Sequence, residues 1–260
     1  MLGGIRAGLR GILPESLQRV WRRGRLEAIR WRNRKRGVAE IFSEIYEANR
    51  WGGEQGHFHS GGGSTVEHAE VYAGVIKQFV RERQVRHVVD LGCGDFRVGA
   101  RLIDGVDVVY TGIDIVARLV ENNRRKYGSE RVRFACLNII EDELPDGELC
   151  LIRQVLQHLS NEQIRRVLMN VDKYRFVIVT EHYPAPGALR ERNRDKPCGE
   201  DVRIYDGSGV FLDAPPFNRR VSGPLLDVNA GHCLMHTGER IRTFLMDNSD
   251  PELRSAPKLI

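Results

Sequence analysis

The chain has 260 residues, of which 41% are hydrophobic and 29% are charged, a balance typical of one α/β domain with appendages. No apolar run approaches the roughly 20 residues that cross a bilayer, and residues 1–20 lack the apolar core of a secretory signal. The five cysteines form no CxxC pair, which argues against a disulfide framework. These features exclude an integral membrane protein and favour a cytoplasmic one.

The formal net charge of +5 is distributed unevenly along the chain. Residues 1–40 contain 11 Lys and Arg against 3 Glu, a balance of +8, whereas residues 41–260 contain 29 basic and 32 acidic residues, a balance of −3. An enzyme that acts on nucleic acid would spread positive charge around its substrate cleft. We therefore expect no nucleic-acid partner.

Residues 1–36 are expected to form a basic helical arm. Between Leu13 and Trp31, arginines alternate with an apolar or small stripe that recurs every three to four positions, at Leu13, Leu17, Val20 with Trp21, and Gly24. A basic amphipathic helix can lie on an anionic membrane surface, here the inner membrane, or contact a protein. The alternative is an accessory helix that packs its apolar stripe on the body of the protein.

Residues 37–84 are expected to hold two helices separated by a glycine-rich lid. Apolar residues recur on one face across Val38–Asn49, and Ser64-Thr-Val-Glu67 has the spacing of a capping box, which predicts a helix to about Arg83. The segment from Trp51 to Ser64 is too rich in glycine for regular structure, and such a loop inside a domain is often functional. Trp51 is therefore a candidate contact for the cofactor or the acceptor, with core packing as the alternative.

Residues 85–184 alternate between strands and helices. The predicted strands are His87–Leu91, Val106–Ile113, Val132–Leu137, Leu149–Arg153 and Phe176–Thr180, and the predicted helices are Phe96–Leu102, Ala117–Tyr127 and Asn161–Asn170. This alternation predicts an α/β fold with a Rossmann-like, doubly wound, mostly parallel sheet. Ligands of such sheets bind at the carboxyl ends of the strands. Residues 185–260 are expected to form an acceptor-side cap, with antiparallel strands at Gly207–Phe217 and Arg240–Asp247.

The predicted first strand runs into a glycine turn that indicates a cofactor site. Asp90 is followed by Gly92 and Gly94, which allow a sharp turn and a close approach of the backbone to a ligand. A dinucleotide site would carry a third glycine at the position of Arg97, and it would have an apolar residue in place of Asp90. A carboxylate there can instead hold the ammonium group of an amino-acid ligand, and Asp114 can accept both hydroxyls of a ribose.

These residues resemble those of bacterial class I S-adenosylmethionine-dependent methyltransferases of the small-molecule or sugar type. The resemblance extends from about Ile41 to Phe217 and includes the segments IYEANRWG, SGGGS, DLGCGDF, GIDIV, RQVLQHLS, TEHYP and GSGVFLDAPPF. It implies S-adenosylmethionine as the cofactor. It also implies that the methionine end is lined by Asp90, Gly92, Cys93 and Gly94, the ribose by Asp114 and Ile115, the adenine by Asn138 and Ile139, and the sulfonium by Gln154. Asn138 departs from the acid that many relatives carry there.

Three residues are candidates for proton removal from an acceptor. Methyl transfer from a sulfonium depends chiefly on positioning, so a base matters only when the acceptor must lose a proton. His158 follows the fourth predicted strand and could alternatively cap the next helix, while Glu181 and His182 follow the fifth. We expect these side chains at the edge of the sheet where ligands bind, and we expect His182→Ala to lower turnover with cofactor affinity nearly unchanged.

Asp201 and Arg203, in the cap, are candidate acceptor contacts, with surface ion pairing as the alternative. No metal is expected, because His57 with His59, and the run His232-Cys233-x-x-His236, do not supply four ligands at a familiar spacing. The sequence thus predicts methylation of a small polar acceptor, such as a sugar or a natural-product hydroxyl or amine. The alternatives are an RNA or protein methyltransferase, and a non-catalytic cofactor-binding module that binds a partner through its arm.

Overall fold

The computed structural model describes residues 15–52, 57–61, 66–231 and 237–249. In that part of the chain the helices are α1 (Glu15–Asn33), α2 (Val38–Glu47), α3 (Val66–Glu82), α4 (Arg97–Ile103), α5 (Ala117–Tyr127) and α6 (Asn161–Asn170). The strands are β1 (His87–Leu91), β2 (Val109–Asp114), β3 (Val132–Cys136), β4 (Leu149–Arg153), β5 (Phe176–Tyr183), β6 (Leu226–Asn229) and β7 (Arg240–Asp247).

The seven strands form one sheet in the order β3-β2-β1-β4-β5-β7-β6. The first five are parallel, and β7 lies antiparallel between β5 and β6. The chain winds outward from β1 in one direction and from β4 in the other, so the order reverses between these two strands. A ligand crevice is expected at the carboxyl ends of strands that flank such a reversal. The prediction of a Rossmann-like, mostly parallel sheet is confirmed.

The core lies on both faces of the sheet because the central strands are apolar on both sides. Every residue of β5 is buried, and so are the first four residues of β4. One face packs beneath α2 and α6 through Ile41 and Ile164, and the other packs beneath α3 through Ile76. Burial on both faces explains why these strands appear in the sequence as continuous apolar runs without alternation.

The C-terminal region differs from the sequence-based prediction. Arg240–Asp247 is an antiparallel strand as expected, but Gly207–Phe217 forms turns that contain a cis peptide bond between Pro215 and Pro216. The partner of β7 on its outer side is instead β6, whose short sequence Leu-Asp-Val-Asn is only partly buried. Two consecutive prolines provide no backbone N–H groups to a sheet, which accounts for the absence of a strand there.

Helix α1 is attached to the cap at its C-terminal end. The Arg30 guanidinium is buried and forms ion pairs with Asp201 at 2.8 Å and with Asp206 at 2.5 Å. The Asn33 side chain donates to the carbonyl oxygen of Cys198. Part of the predicted arm at 1–36 therefore packs on the body. None of the described helices is both long and apolar enough to span a bilayer.

Candidate cofactor and acceptor cleft

A cleft of about 1030 Å³ opens at the carboxyl ends of β1, β2 and β4, beneath α2. This is the position that the strand order predicts. The sequence-predicted site residues that line it are Trp51, Asp90, Gly92, Cys93, Gly94, Asp114, Ile115, Asn138, Ile139, Gln154 and His158. The structure thus brings together all of the predicted cofactor contacts and one of the three candidate bases.

Both glycines of the turn are required by the local geometry. Gly92 and Gly94 adopt positive φ angles of 74° and 56°, a region that other residues rarely occupy. A Cβ atom on Gly92 would lie 2.4 Å from the Cγ2 of Val155, and one on Gly94 would lie 2.3 Å from the Oγ of Ser60. The buried side chain of Asn123 fixes the turn from behind, since its amide donates to the carbonyl oxygen of Gly94 over 2.7 Å.

Asp114 connects the end of β2 to the glycine turn. Its Oδ2 accepts the N–H of Gly94 at 3.1 Å, and its Oδ1 accepts the N–H of Val116 at 3.0 Å. Burial raises the pKa of Asp114 to about 6, although both backbone N–H groups oppose that shift. A carboxylate has about four lone-pair positions, so each oxygen can still accept a hydroxyl of a ligand.

Asp90 and Arg153 bring opposite charges into the floor of the cleft. The Tyr110 hydroxyl donates to Asp90 over 2.5 Å. Burial raises the pKa of Asp90 to about 6, while the Tyr110 hydrogen bond and the nearby Arg153 charge lower it. The Arg153 guanidinium lies 5.1 Å from the ring centre of Tyr72. Tyr72 and Arg153 both line the cleft. The sequence analysis did not identify them, because Arg153 is the last residue of β4 and Tyr72 lies within α3, away from the loops that follow the strands.

The segment at residues 57–61 covers the glycine turn. The backbone N–H of Ser60 donates to Asp95, and the Ser60 hydroxyl accepts the N–H of Asp95 at 2.8 Å. The same hydroxyl lies 2.9 Å from the Tyr46 hydroxyl. Trp51 packs against Tyr46, with ring centres 5.1 Å apart. The lid predicted from the sequence therefore contacts the turn at Ser60, and the parts of that loop at 53–56 and 62–64 lie outside the described residues.

One part of the cleft wall is apolar and suits a flat base. Ile115, Leu137 and Ile139 line it. Asn138 lies at the same wall, but its side-chain oxygen accepts the N–H of Ile140 and its amide donates to Glu141. These local hydrogen bonds leave Asn138 one acceptor position for a ligand.

Gln154 provides an independent indication that the cleft holds a polar ligand. Its backbone has a positive φ of 55°, although it is not a glycine. The nitrogen of its side-chain amide, Nε2, is buried and has no hydrogen-bond partner among the residues that the structure describes. Such groups usually mark functional positions. Together with the two glycines and the buried carboxylates, this donor fits S-adenosylmethionine, which presents both charged and polar groups.

His158 lies in the wall of the cleft next to the lid. Its ring centre is 5.3 Å from that of Trp51 and 6.3 Å from that of Phe42. The Nδ1 atom lies 3.1 Å from the carbonyl oxygen of Gly199. Burial lowers the pKa of His158 to about 4, and the nearby charge of Lys196 acts in the same direction. The imidazole is therefore neutral at pH 7. The capping role considered for it is wrong, because Ser160 caps α6.

Glu181 and His182 do not line the cleft. The Glu181 carboxylate is fully buried, where it accepts the backbone N–H groups of Val155, Leu156 and Gln157. Burial raises its pKa to about 8. Because it anchors the loop after β4, Glu181 acts on the site as a positioning residue and not as the expected base.

His182 faces away from Glu181 because successive side chains of a strand alternate between its two sides. Its Nε2 atom is 3.2 Å from the carboxylate of the fully buried Glu239. Burial lowers the pKa of His182, while the charge of Glu239 opposes that shift. The expectation that its side chain emerges where ligands bind is thus contradicted by its position.

Asp201 and Arg203 are also absent from the lining of the cleft, and neither is a surface residue. Asp201 is 3% exposed and pairs with Arg30 and Lys196. Arg203 is 1% exposed and donates to the carbonyl oxygens of Arg194 and Leu159. Both hold the cap against the body, so the structure assigns them a positioning role in place of the expected acceptor contacts.

Within the described residues, no group of three or more His, Cys, Asp or Glu side chains is arranged to hold a metal ion. The residues His232, Cys233 and His236, considered from the sequence as possible ligands, lie outside the described residues.

Residues 88–174 match the family described as a methyltransferase domain. The matched segment includes the glycine turn, Asp114, Gln154 and His158, and therefore most of the polar residues of the cleft. A search of curated protein sequences gave no significant match.

Two solved structures align with this chain at a TM-score of 0.50, and a third aligns at a lower value. The N-methyltransferase NodS from Bradyrhizobium japonicum, in complex with S-adenosylhomocysteine, aligns with a TM-score of 0.50 and 12% identity over 80% of this chain and 98% of its own. Magnesium protoporphyrin IX methyltransferase from Synechocystis, with the same ligand, aligns with a TM-score of 0.50 and 15% identity over 80% of this chain and 99% of its own. Human N-acetylserotonin methyltransferase aligns with a TM-score of 0.48 and 12% identity. The alignment covers 84% of this chain, which spans 64% of the length of that protein. The match over residues 88–174 therefore identifies a methyltransferase domain in this chain, and the cleft described above fits S-adenosylmethionine as its cofactor.

Proposed function

We propose that this chain transfers the methyl group of S-adenosylmethionine to a hydroxyl or amine of a small polar acceptor, such as a sugar or a natural product. The observation that supports this most is the position of the His158 imidazole in the wall of the cleft, beside Trp51 and with its Nδ1 atom hydrogen-bonded to the carbonyl oxygen of Gly199. A neutral imidazole can accept a hydrogen bond from an acceptor hydroxyl and take its proton as the methyl group is transferred.

The cofactor supplies a methyl group on a cationic sulfonium, whose leaving group departs neutral. The residues of the chain then have to hold two ligands in line and exclude water. We assign the cofactor's ammonium group to Asp90, its ribose hydroxyls to Asp114, and contact near the sulfur to Gln154. The lid residues Trp51 and Ser60 cover the turn and limit the entry of water.

The charges of the cleft favour a small acceptor over a polyanion. Three carboxylates line it, those of Asp90, Asp95 and Asp114, against the single guanidinium of Arg153 among the described lining residues. A phosphate backbone would meet repulsion from such a surface. The aromatic side chains of Phe42, Tyr46 and Trp51 at the same site can pack on the apolar face of a sugar or a ring.

A labelled-methyl assay tests the proposal. The purified protein is incubated with labelled S-adenosylmethionine and, separately, with a panel of glycosides and small amines, with RNA, and with peptides. Label in a glycoside or amine is the expected result, and it should be lost in Asp114→Asn but retained in the exposed control Asp107→Asn. Label only in RNA or peptide would contradict the choice of acceptor. Cofactor binding with no transfer to any panel would favour a non-catalytic module.

A further inference from the structure

The rotation of α1 about its own axis is fixed by its contacts with the cap. Arg30 and Asn33 are buried at that contact, and Leu26 and Ile29 are half-buried. These positions share one face of the helix, since successive residues are turned by about 100°. The ion pairs of Arg30 with two carboxylates hold this face toward the body.

Between Gly24 and Trp31, the opposite face of α1 is turned toward solvent. Trp31 is 74% exposed, the largest exposed fraction among the large hydrophobic side chains described. Ala28 and Gly24 are exposed on the same side. In the sequence, this spacing of three and four residues continues back to Trp21 and Leu17. Of the stripe predicted from the sequence, Gly24 is the member whose burial the structure describes, and it is exposed.

Arginines flank this outward stripe on both sides. By helical spacing, Arg23 lies on one side of the line from Gly24 to Trp31, and Arg25 and Arg32 lie on the other. All three are exposed. The acidic residue of this part of α1, Glu27, pairs with Arg30 at 3.2 Å, and Arg32 pairs with Glu44 of α2 at 3.0 Å, so Arg23 and Arg25 are the arginines on which the proposal depends. The outward surface of α1 is consequently apolar along its centre and cationic along its edges.

We propose that the outward face of α1, from Arg23 to Arg32, binds an anionic lipid surface. An indole ring is suited to the interface between headgroups and acyl chains, while arginines beside it can reach lipid phosphates. The balance of +8 over residues 1–40 supports this partner, because an anionic surface attracts such a segment before any apolar contact forms. This inference does not depend on the identity of the methyl acceptor.

Co-sedimentation of the full chain with lipid vesicles tests this proposal. The vesicles contain phosphatidylcholine with about 30% phosphatidylglycerol, and pure phosphatidylcholine vesicles serve as the uncharged comparison. We expect binding to the anionic vesicles alone, weakened by added salt. Trp31→Ser should weaken that binding about tenfold, and Arg23→Glu combined with Arg25→Glu should abolish it.

Two matched controls separate this face from general surface chemistry. Met169, which is 61% exposed on α6, is changed to Ser, and Arg165, also exposed on α6, is changed to Glu. Both controls should sediment like the wild type, and unchanged cofactor binding shows that every variant is folded. The proposal is overturned if the wild type does not bind anionic vesicles, or if Trp31→Ser binds as well as Met169→Ser. It is also overturned if the wild type is a dimer that Trp31→Ser dissociates.

Discussion

The Nδ1 atom of His158 donates a hydrogen bond to the carbonyl oxygen of Gly199 over 3.1 Å, across 41 positions of the chain. A carbonyl oxygen can only accept, so Nδ1 carries the proton and Nε2 is left as the basic nitrogen. The backbone N–H of Gly199 in turn donates to the carbonyl oxygen of His158 over 3.0 Å. This two-way contact with the cap fixes the tautomer that proton removal requires.

Replacement of His158 should lower turnover without weakening cofactor binding. In His158→Asn, the side-chain amide can still donate toward Gly199 but provides no basic nitrogen. We expect turnover with a hydroxyl acceptor to fall about 100-fold or more, while calorimetry shows S-adenosylmethionine affinity within about twofold of the wild type. An acceptor amine that is already nucleophilic should show a smaller loss. If His158→Asn methylated a hydroxyl acceptor at the wild-type rate, His158 would not be the base, and catalysis would depend on positioning alone.

The pH dependence of turnover should also report His158. Its pKa is lowered to about 4, so the neutral form that accepts a proton is present throughout the range above that value. At saturating cofactor, kcat should be flat from pH 8 down to about 5 and should fall only as the pH approaches about 4. A rise in kcat through pH 6–7, typical of an unperturbed imidazole, would contradict the burial described for His158.

Cofactor affinity should decrease in acid because of Asp90 and Asp114. Burial raises the pKa of each to about 6, so both lose their negative charge as the pH falls through 6. A cationic ligand binds the ionised forms better, and its affinity should therefore be highest above pH 7 and decline below 6. Calorimetry between pH 5 and 8 measures this trend. In Asp90→Asn, the cofactor affinity should depend less steeply on pH. An unchanged dependence would show that Asp90 does not contact the cofactor.

The Glu181→Gln variant should lose both stability and turnover. Glu181 accepts three backbone N–H groups of the loop after β4. Its pKa is about 8, so above about pH 9 the carboxyl is ionised, and there Gln replaces one acceptor oxygen with a donor. At that pH we expect a loss of about 1–3 kcal/mol in the free energy of unfolding, together with lower turnover because Gln154 and His158 belong to the same loop. Glu162→Gln, at a position 71% exposed on α6, is the control. Equal unfolding midpoints for the two variants would argue against the positioning role.

The His182→Ala variant should affect stability and leave catalysis nearly intact. His182 is 3.2 Å from the buried Glu239 and does not line the cleft. Its removal leaves a buried carboxylate without this neighbour, at a cost of about 1–3 kcal/mol in denaturant unfolding. Turnover measured below the unfolding temperature should stay within about threefold of the wild type. A 100-fold loss of turnover with normal stability would restore His182 as a candidate base.

The sequence by itself determined the parallel part of the sheet and the cofactor turn because both depend on local chemistry. Continuous apolar runs identify strands buried on both faces, and their alternation with helices requires parallel crossovers. Asp90, Gly92, Gly94 and Asp114 are joined by one strand, one turn and the next strand, so their convergence follows from the fold class alone. The predicted cofactor contacts accordingly all lie in the cleft.

Only the tertiary structure decided the roles of the acceptor-side residues. Glu181 and His182 are neighbours in the sequence, yet they face opposite sides of β5, and the register with β7 determines what covers each. The hydrogen bond to Gly199 sets the tautomer of His158, and Arg30 and Asp201 meet across 171 positions. Contacts over such separations depend on how the cap folds back onto the sheet. No local pattern encodes that path, so only the packed structure could distinguish a base from an anchor.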